Sequence, residues 1–236
     1  MNRETVVITG ANRGLGLGLT RAYLEDGWRV IALNRSSSPE LESLRNDSLE
    51  IHCCDLTDDS HLERFAGSLN GQVIDLLINN AGRMAKDGSV NAGESVQGFG
   101  YFNRELWRDV FDINVFTAMS LSELLADAIA RSARGRIVTI SSMLGSMALN
   151  SSGGLYAYRA TKAGVNAIMK SMSIDLSGRG IIAIAQHPGW VQTDMGGQGA
   201  DIDIATSVNG MKAVFDGLRP EDSGKFLSWD GSEMPW

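Results

Sequence analysis

Two side chains able to exchange a proton stand four positions apart in the run Tyr156-Ala157-Tyr158-Arg159-Ala160-Thr161-Lys162. On a helix, residues four apart share a face, so the Tyr158 phenol and the Lys162 amine come within reach of each other. A free tyrosine loses its proton near pH ~10, and a neighbouring ammonium favours the phenolate and lowers that value. The pair is a candidate proton donor and acceptor for a substrate. Many helices carry this spacing, so its meaning depends on the rest of the chain. Tyr156 has no lysine four residues on and reads as a pocket or packing residue. His52, His61 and His187 are scattered among different elements without metal-ligand spacing, so they read as structural or surface groups and no metal site is expected.

The second chemical signal is Thr9-Gly10-Ala11-Asn12-Arg13-Gly14-Leu15-Gly16, which stands between a short β-branched run and a helix-period segment. Glycines there permit a tight turn and let the backbone approach a pyrophosphate at the helix N-terminus. The spacing differs from GxGxxG, but the strand–loop–helix context is that of a dinucleotide site. An acidic residue that holds the adenosine ribose is expected about 20 residues further on, at a strand end. This chain has Asn34 and Arg35 there, and Arg13 inside the loop. Two cations without a carboxylate suit a 2′-phosphate, so NADP(H) is expected over NAD(H).

The elements that must position these groups alternate. Strands are expected at Thr5–Thr9, 28–33, Leu49–Cys53, 74–78, 136–141, 181–186 and 225–228. Helices are expected from Leu15 to about Glu25, briefly after Pro39, and at 58–68, 104–131, 156–176 and 204–215. Near-continuous Val/Ile/Leu strands alternating with helices predict an α/β fold: one doubly wound Rossmann domain over residues 1–236. Its parallel sheet of about seven strands carries helices on both faces. The Gly/Ser-rich stretches 87–100 and 146–154 read as loops.

Bulk properties remove other classes. A net charge of -7 without a Lys/Arg cluster argues against a nucleic-acid surface. No apolar run approaches the ~18 residues of a membrane span. The N-terminus leads directly into a strand, leaving no room for a signal peptide. The two cysteines, Cys53 and Cys54, are adjacent and read as reduced thiols. A cytoplasmic protein is expected.

Four further segments extend the pattern: Asn79-Asn80-Ala81-Gly82, Asp112-Ile113-Asn114-Val115, Ile140-Ser141-Ser142, and Pro188-Gly189 followed by Thr193. Together with the glycine loop and the tyrosine–lysine pair, they make the chain resemble the short-chain dehydrogenase/reductase family over essentially its full length. More narrowly it looks like the C-factor and sniffer-like carbonyl reductases. The residues that carry this are the 156–162 segment preceded by 150–154, the run from His187 to Met195, and Trp229-Asp230-Gly231-Ser232…Pro235-Trp236.

The resemblance implies roles. Tyr158 would be the general acid in carbonyl reduction, and Lys162 would lower its pKa and hold the nicotinamide ribose. Ser142, favoured over Ser141, would hydrogen-bond the substrate oxygen, and Asn114 would hold a water behind Lys162. Asn80, Ala81 and Gly82 would line the cofactor, and Asp55 and Leu56 would meet the adenine. Pro188, Gly189, Val191 and Thr193 would clamp the carboxamide. Trp190 is the tryptophan expected to touch substrate.

Ser142 and Tyr158 stand 16 positions apart, longer than is usual in the family. The extra residues in 146–154 should reshape one pocket wall, with Met143, Leu144, Met147 and Leu149 as substrate contacts. The stretch between Met195 and a helix near Ile204 is short, which implies an open cleft suited to varied aldehydes and ketones. The expected function is NADPH-dependent carbonyl reduction on a small-molecule carbonyl or alcohol, in a homo-oligomer (dimer or tetramer). The alternative is a cofactor-binding signalling protein of C-factor type. An extended-type epimerase would need a nucleotide-sugar domain for which there is no room after Thr193.

Overall fold

Short β-branched runs form the strands of a seven-stranded sheet in the computed structural model, which describes residues 3–69, 71–84 and 98–236. They are β1 (Thr5–Thr9), β2 (Arg29–Asn34), β3 (Leu49–Cys53), β4 (Leu76–Asn79), β5 (Arg136–Ile140), β6 (Ile182–His187) and β7 (Phe226–Ser228). Their order is β3-β2-β1-β4-β5-β6-β7, with every neighbouring pair parallel. The chain builds outward from β1 to β3, then returns to lay β4 against the other side of β1. Loops leaving β1 and β4 therefore diverge and open a crevice at the carboxyl edge of the sheet.

Helices α1 (Gly14–Glu25), α2 (Pro39–Glu42), α3 (Asp59–Ser68), α4 (Arg104–Phe111), α5 (Thr117–Ala130), α6 (Tyr156–Asp175) and α7 (Ile204–Gly217) surround it. Side-chain caps start several of them. Ser38 accepts the Leu41 N–H ahead of Pro39, Asp58 accepts from Ser60, Asn103 from Leu106, and Asp203 from Thr206. Alternation along the strands then makes two cores. Val6, Ile8, Val30 and Ile78 pack with Leu19, Met211 and Phe215 under α1 and α7. Val7, Ile31, Leu77 and Ile137 pack with Phe65, Leu125 and Met169 under α3, α5 and α6.

Three expectations shift. The helix expected over 104–131 is α4 and α5 joined by a π-helical turn, Asp112–Phe116. There the Thr117 hydroxyl bonds the Asp112 carbonyl at 3.0 Å and the Leu56 carbonyl at 2.7 Å, tying the wider turn to the strand ends. β4 begins at Leu76 because the Ile74 N–H bonds the Ala128 carbonyl of α5 instead of the sheet. Among the described residues, the helical run 104–130 is long and apolar enough to cross a membrane, contrary to the sequence reading. More than half of its most apolar 18-residue stretch is buried against the rest of the protein, as in a core helix. Residues 146–154 carry neither helix nor strand, as expected, whereas the expected loop 87–100 lies outside the described residues up to position 97.

Candidate active site

The carboxyl end of β5 and the first turns of α6 bring the expected hydroxyls together. Tyr158 and Lys162 are 7% and 5% exposed. Lys162 Nζ donates to the Ile140 carbonyl at 2.7 Å and lies 5.7 Å from the Tyr158 ring centroid. The two serines separate cleanly. Ser141 is buried and donates to Asn166 Oδ1 at 2.6 Å, which makes it part of the β5–α6 contact. Ser142 is half-buried, accepts the Leu144 N–H, and hydrogen-bonds the Tyr158 hydroxyl.

Asn114 sits in the π-helical turn and is buried. Its Oδ1 accepts the Arg83 N–H at 2.8 Å, and its Nδ2 donates to the Arg83 carbonyl and to Thr161 Oγ1, both at 3.0 Å. Thr161 in turn donates to the Tyr158 carbonyl. A Cβ on Gly82 would lie 3.0 Å from Asn114 Oδ1 and 3.7 Å from Lys162 Nζ, so these three positions are neighbours. The expected residues from four segments converge at one point.

The glycine loop leads from β1 into α1. A Cβ on Gly16 would fall inside the Gly10 carbonyl oxygen, so only glycine lets the loop fold this tightly onto the helix. Asn80 lies at the crevice, but its amide is used to hold the loop, donating to the carbonyls of Thr9 (2.8 Å) and Gly10 (3.3 Å). The N–H groups of Asn80 and Ala81 both donate to Thr9 Oγ1. The Asn12 carbonyl accepts from Ser38 Oγ, and Leu15 packs into the core below. No side chain caps α1 and its first turn holds no acid, which leaves its N–H groups facing outward for an anion.

At the end of β2, Asn34 is buried and both atoms of its amide lack a partner among the described residues. An unmet buried amide is costly, and a ligand group at the strand end would satisfy it. Together the loop, the uncapped helix end and this amide fit a dinucleotide. Arg35 is exposed near Asp55, whose carboxyl is held below its usual range mainly by the Thr57 N–H and hydroxyl. Leu56 is buried in the core beneath. Arg13 does not stand free beside Arg35; it pairs with Asp194 at 2.6 Å across the mouth of the crevice.

After β6, the Pro188 carbonyl accepts from Ser207, and Gly189 takes φ +85°, where a Cβ would meet Ile202 at 2.6 Å. Residues 190–202 close on themselves through Ile202 N–H to the Trp190 carbonyl and Gln192 N–H to the Ile202 carbonyl. Val191 bridges Ile202, and Thr193 Oγ1 donates to the Val191 carbonyl and accepts from Gly196. Trp190 is half-exposed, with its indole N–H on the Gly196 carbonyl. This short loop places Met195 Sδ 3.9 Å from the Tyr158 hydroxyl. Tyr156 points elsewhere, against Phe99.

Sequence reasoning missed three contributors. Arg159 holds the long approach to Tyr158, donating to the carbonyls of Leu144, Gly153 and Gly154 and to Ser152 Oγ. Met195 reaches the phenol hydroxyl through its sulfur. His187 accepts the Met143 N–H through Nδ1 at 3.2 Å, directly after Ser142, while His52 and His61 serve local contacts. Arg159 and His187 act on backbone groups of a loop whose path no sequence pattern describes.

The ionisation of the pair departs from expectation. Burial dominates: it pushes Tyr158 up to about 12, partly offset by the Ser142 hydrogen bond, and pushes Lys162 down to about 8. The Lys162 amine is turned to the Ile140 carbonyl, 5.7 Å from the Tyr158 ring centroid. An unfolded lysine keeps its proton to about pH 10.4, so between pH 8 and 10 the unfolded chain binds more protons and stability rises with pH. Above about 10 the raised Tyr158 opposes this, because the unfolded tyrosine then loses its proton first. Lys162→Met removes the titration. Its stability advantage over the wild type, from urea midpoints, should shrink between pH 8 and 10; a constant difference would contradict the burial effect.

Residues 4–201 match the family model described as short chain dehydrogenase. The C-signal protein of Myxococcus xanthus is 36% identical over 178 residues, which is 74% of this chain and all of that protein. Two solved structures align over the whole of both chains at 30% identity. They are the carbonyl reductase Sniffer of D. melanogaster (TM-score 0.89) and an NADPH-bound carbonyl reductase from chicken fatty liver (TM-score 0.88). The crevice, the loop that fits a dinucleotide and the match across most of the chain lead to one conclusion: this chain is an oxidoreductase of the short-chain dehydrogenase/reductase family, close to its C-factor and sniffer-like members.

Proposed function

We propose that this chain, folded as one domain, is an NADPH-dependent carbonyl reductase acting on aldehydes or ketones, with Tyr158 as the general acid. The observation that carries it is the Ser142–Tyr158 hydrogen bond beside the buried Lys162, at the carboxyl edge where the glycine loop opens. Bound, the nicotinamide supplies the hydride that reaches the carbonyl carbon. Tyr158, held protonated by burial, gives its proton to the carbonyl oxygen, and Ser142 stabilises the charge that grows there. Lys162, its pKa lowered to about 8 by burial, replenishes that proton, with a water held near Asn114 as the route from solvent.

Gly10, Asn12, Gly14, Leu15 and Gly16 would hold the pyrophosphate, and Arg13, Asn34, Arg35, Asp55 and Leu56 the adenosine end. Asn80, Ala81 and Gly82 would line the middle of the cofactor, and Lys162 would reach its nicotinamide ribose. Pro188, Gly189, Val191 and Thr193 would hold the carboxamide. The preference for the 2′-phosphorylated form rests on Arg13 and Arg35. Arg13 exchanges Asp194 for phosphate at little cost, because an exposed ion pair is worth only ~0–1 kcal/mol. A regulatory protein of C-factor type is not favoured, since Asn114, Ser142, Tyr158 and Lys162 are all present and converge. We place the oligomer contact on the helices, where Phe116 and Met119 near α5 and Ile174 on α6 are exposed apolar groups.

Tyr158→Phe should lower NADPH oxidation with a panel of aldehydes and ketones by about 10²–10⁴-fold; a wild-type rate would end the mechanism. Arg35→Ala should raise the KM for NADPH by about tenfold, the loss of one charge-assisted hydrogen bond, and leave the KM for NADH nearly unchanged. Equal effects on both would show that Arg35 does not read the phosphate. Light scattering at micromolar concentration should give a multiple of the 25.4 kDa chain; the monomer mass would rule out the helix contact.

A further inference from the structure

The turn after Ser142 has little regular structure of its own beyond the 3₁₀ turn Met143–Gly145. Its hold comes from a distant part of the chain. Ser146 is 2% exposed, and its hydroxyl both donates to the Trp236 carbonyl (3.2 Å) and accepts the Leu149 N–H (3.2 Å). The Ala148 N–H donates to the same Trp236 carbonyl at 3.1 Å. Trp236 is delivered there by a return of the chain after β7. Ser228 N–H bonds the Ser232 carbonyl, Glu233 bridges Leu227 in antiparallel sense, and Met234 N–H bonds the Phe226 carbonyl. The Trp236 indole then stacks on Phe226, ring centroids 5.6 Å apart and planes 21° apart. Phe226 is fully buried in the sheet, so the anchor moves with the sheet.

This anchor fixes exposed apolar side chains that the fold does not use. Met147 is 75% exposed and Leu149 44%, and both lie between Ser142 and Tyr158 in the chain. Without the Trp236 carbonyl, the Ala148 N–H and the Ser146 hydroxyl would lose their shared acceptor. The segment would then keep the Met143–His187 and Asn166–Gly145 bonds at its start, its local turns and the Arg159 contacts, but nothing of the Trp236 hold on Ser146 and Ala148. We propose that Ser146 is a positioning residue which, through Trp236, holds Met147 and Leu149 as an apolar wall that favours bulky apolar carbonyl substrates over small ones. The selectivity rests on the carbonyl-reductase reading; the anchor itself does not.

Ser146→Ala and Trp236→Ala test it, the first removing the hydroxyl and the second the stacking that carries the carbonyl. With NADPH, a small aliphatic aldehyde and an aryl ketone are compared. The ratio of kcat/KM for the ketone to that for the aldehyde should fall about fivefold in both variants, the effect of losing one hydrogen bond. A ratio equal to wild type in both folded variants would overturn the selectivity. Amide exchange reads the anchor without turnover. The Ala148 and Leu149 N–H groups should exchange about tenfold faster in Trp236→Ala, and unchanged exchange would overturn the anchor. A wild type inert toward both carbonyls would remove the reductase reading and the selectivity with it, while the exchange result still decides the anchor.

Discussion

The buried ammonium of Lys162 and the carbonyl of Ile140 it bonds hold the site in register. A charge taken from water needs an oxygen partner, and stranding it costs about 3–5 kcal/mol. The carbonyl orients the amine and so ties β5 to α6, while burial still costs the charged form and lowers its pKa to about 8. The other links follow from it: Ser141 to Asn166, and Asn166 to the Gly145 carbonyl. A Cβ on Gly145 would stand 2.8 Å from the Lys162 carbonyl carbon, so the turn can approach the helix this closely only as glycine. Ser141 is consumed in that seam, and Ser142 is left at the crevice opposite Tyr158. The seam also buries both titratable groups, which is why their pKa values move apart.

The crevice owes its place to topology and its chemistry to the absence of competing groups. Parallel strands bring every carboxyl end to one edge, and the reversal between β1 and β4 keeps their loops from covering each other. The start of α1 carries neither a capping side chain nor an acid, unlike the starts of α3, α4 and α7, which are capped by Asp58, Asn103 and Asp203. Where a helix serves only the fold, its N–H groups are satisfied within the chain. Here they are left for something else. Arg13 and Asp194 join the two lips of this opening by an exposed pair, a link weak enough to exchange.

The fold was legible because its signals are local and periodic. Alternating Val/Ile runs, polar caps and the glycine loop each fixed an element within a few residues, and the motif order placed Ser142, Tyr158, Lys162 and Asn114 at one edge. Three kinds of information were absent. The π-helical turn at Asp112–Phe116 has the apolar pattern of a continuous helix, and only its contacts with Leu56 and Arg83 distinguish it. The use of Asn80 as a brace for the glycine loop depends on which carbonyls lie nearby, which spacing does not encode. The direction of the Tyr158 shift depends on depth of burial, and a one-dimensional reading of neighbouring charges gave the wrong sign.

The long approach to Tyr158 shows how a lengthened loop can leave the phenol beside Ser142 in place. A few extra residues in a loop add only a few tenths of a kcal/mol in closure entropy. The larger cost is conformational. Gly153, Gly154 and Leu155 take φ of +63°, +63° and +49° in succession, and a left-handed leucine costs about 1–2 kcal/mol. Strain of this kind persists where surroundings over-determine it, and the Arg159 guanidinium supplies that constraint by binding the Gly153 and Gly154 carbonyls within the bend and the Leu144 carbonyl beyond it. The outcome is that α6 starts abruptly at Tyr156, which puts Tyr158 in its first turn. The bend thus fixes where the phenol stands at the crevice, while burial, eased by the Ser142 hydrogen bond, keeps its proton in place.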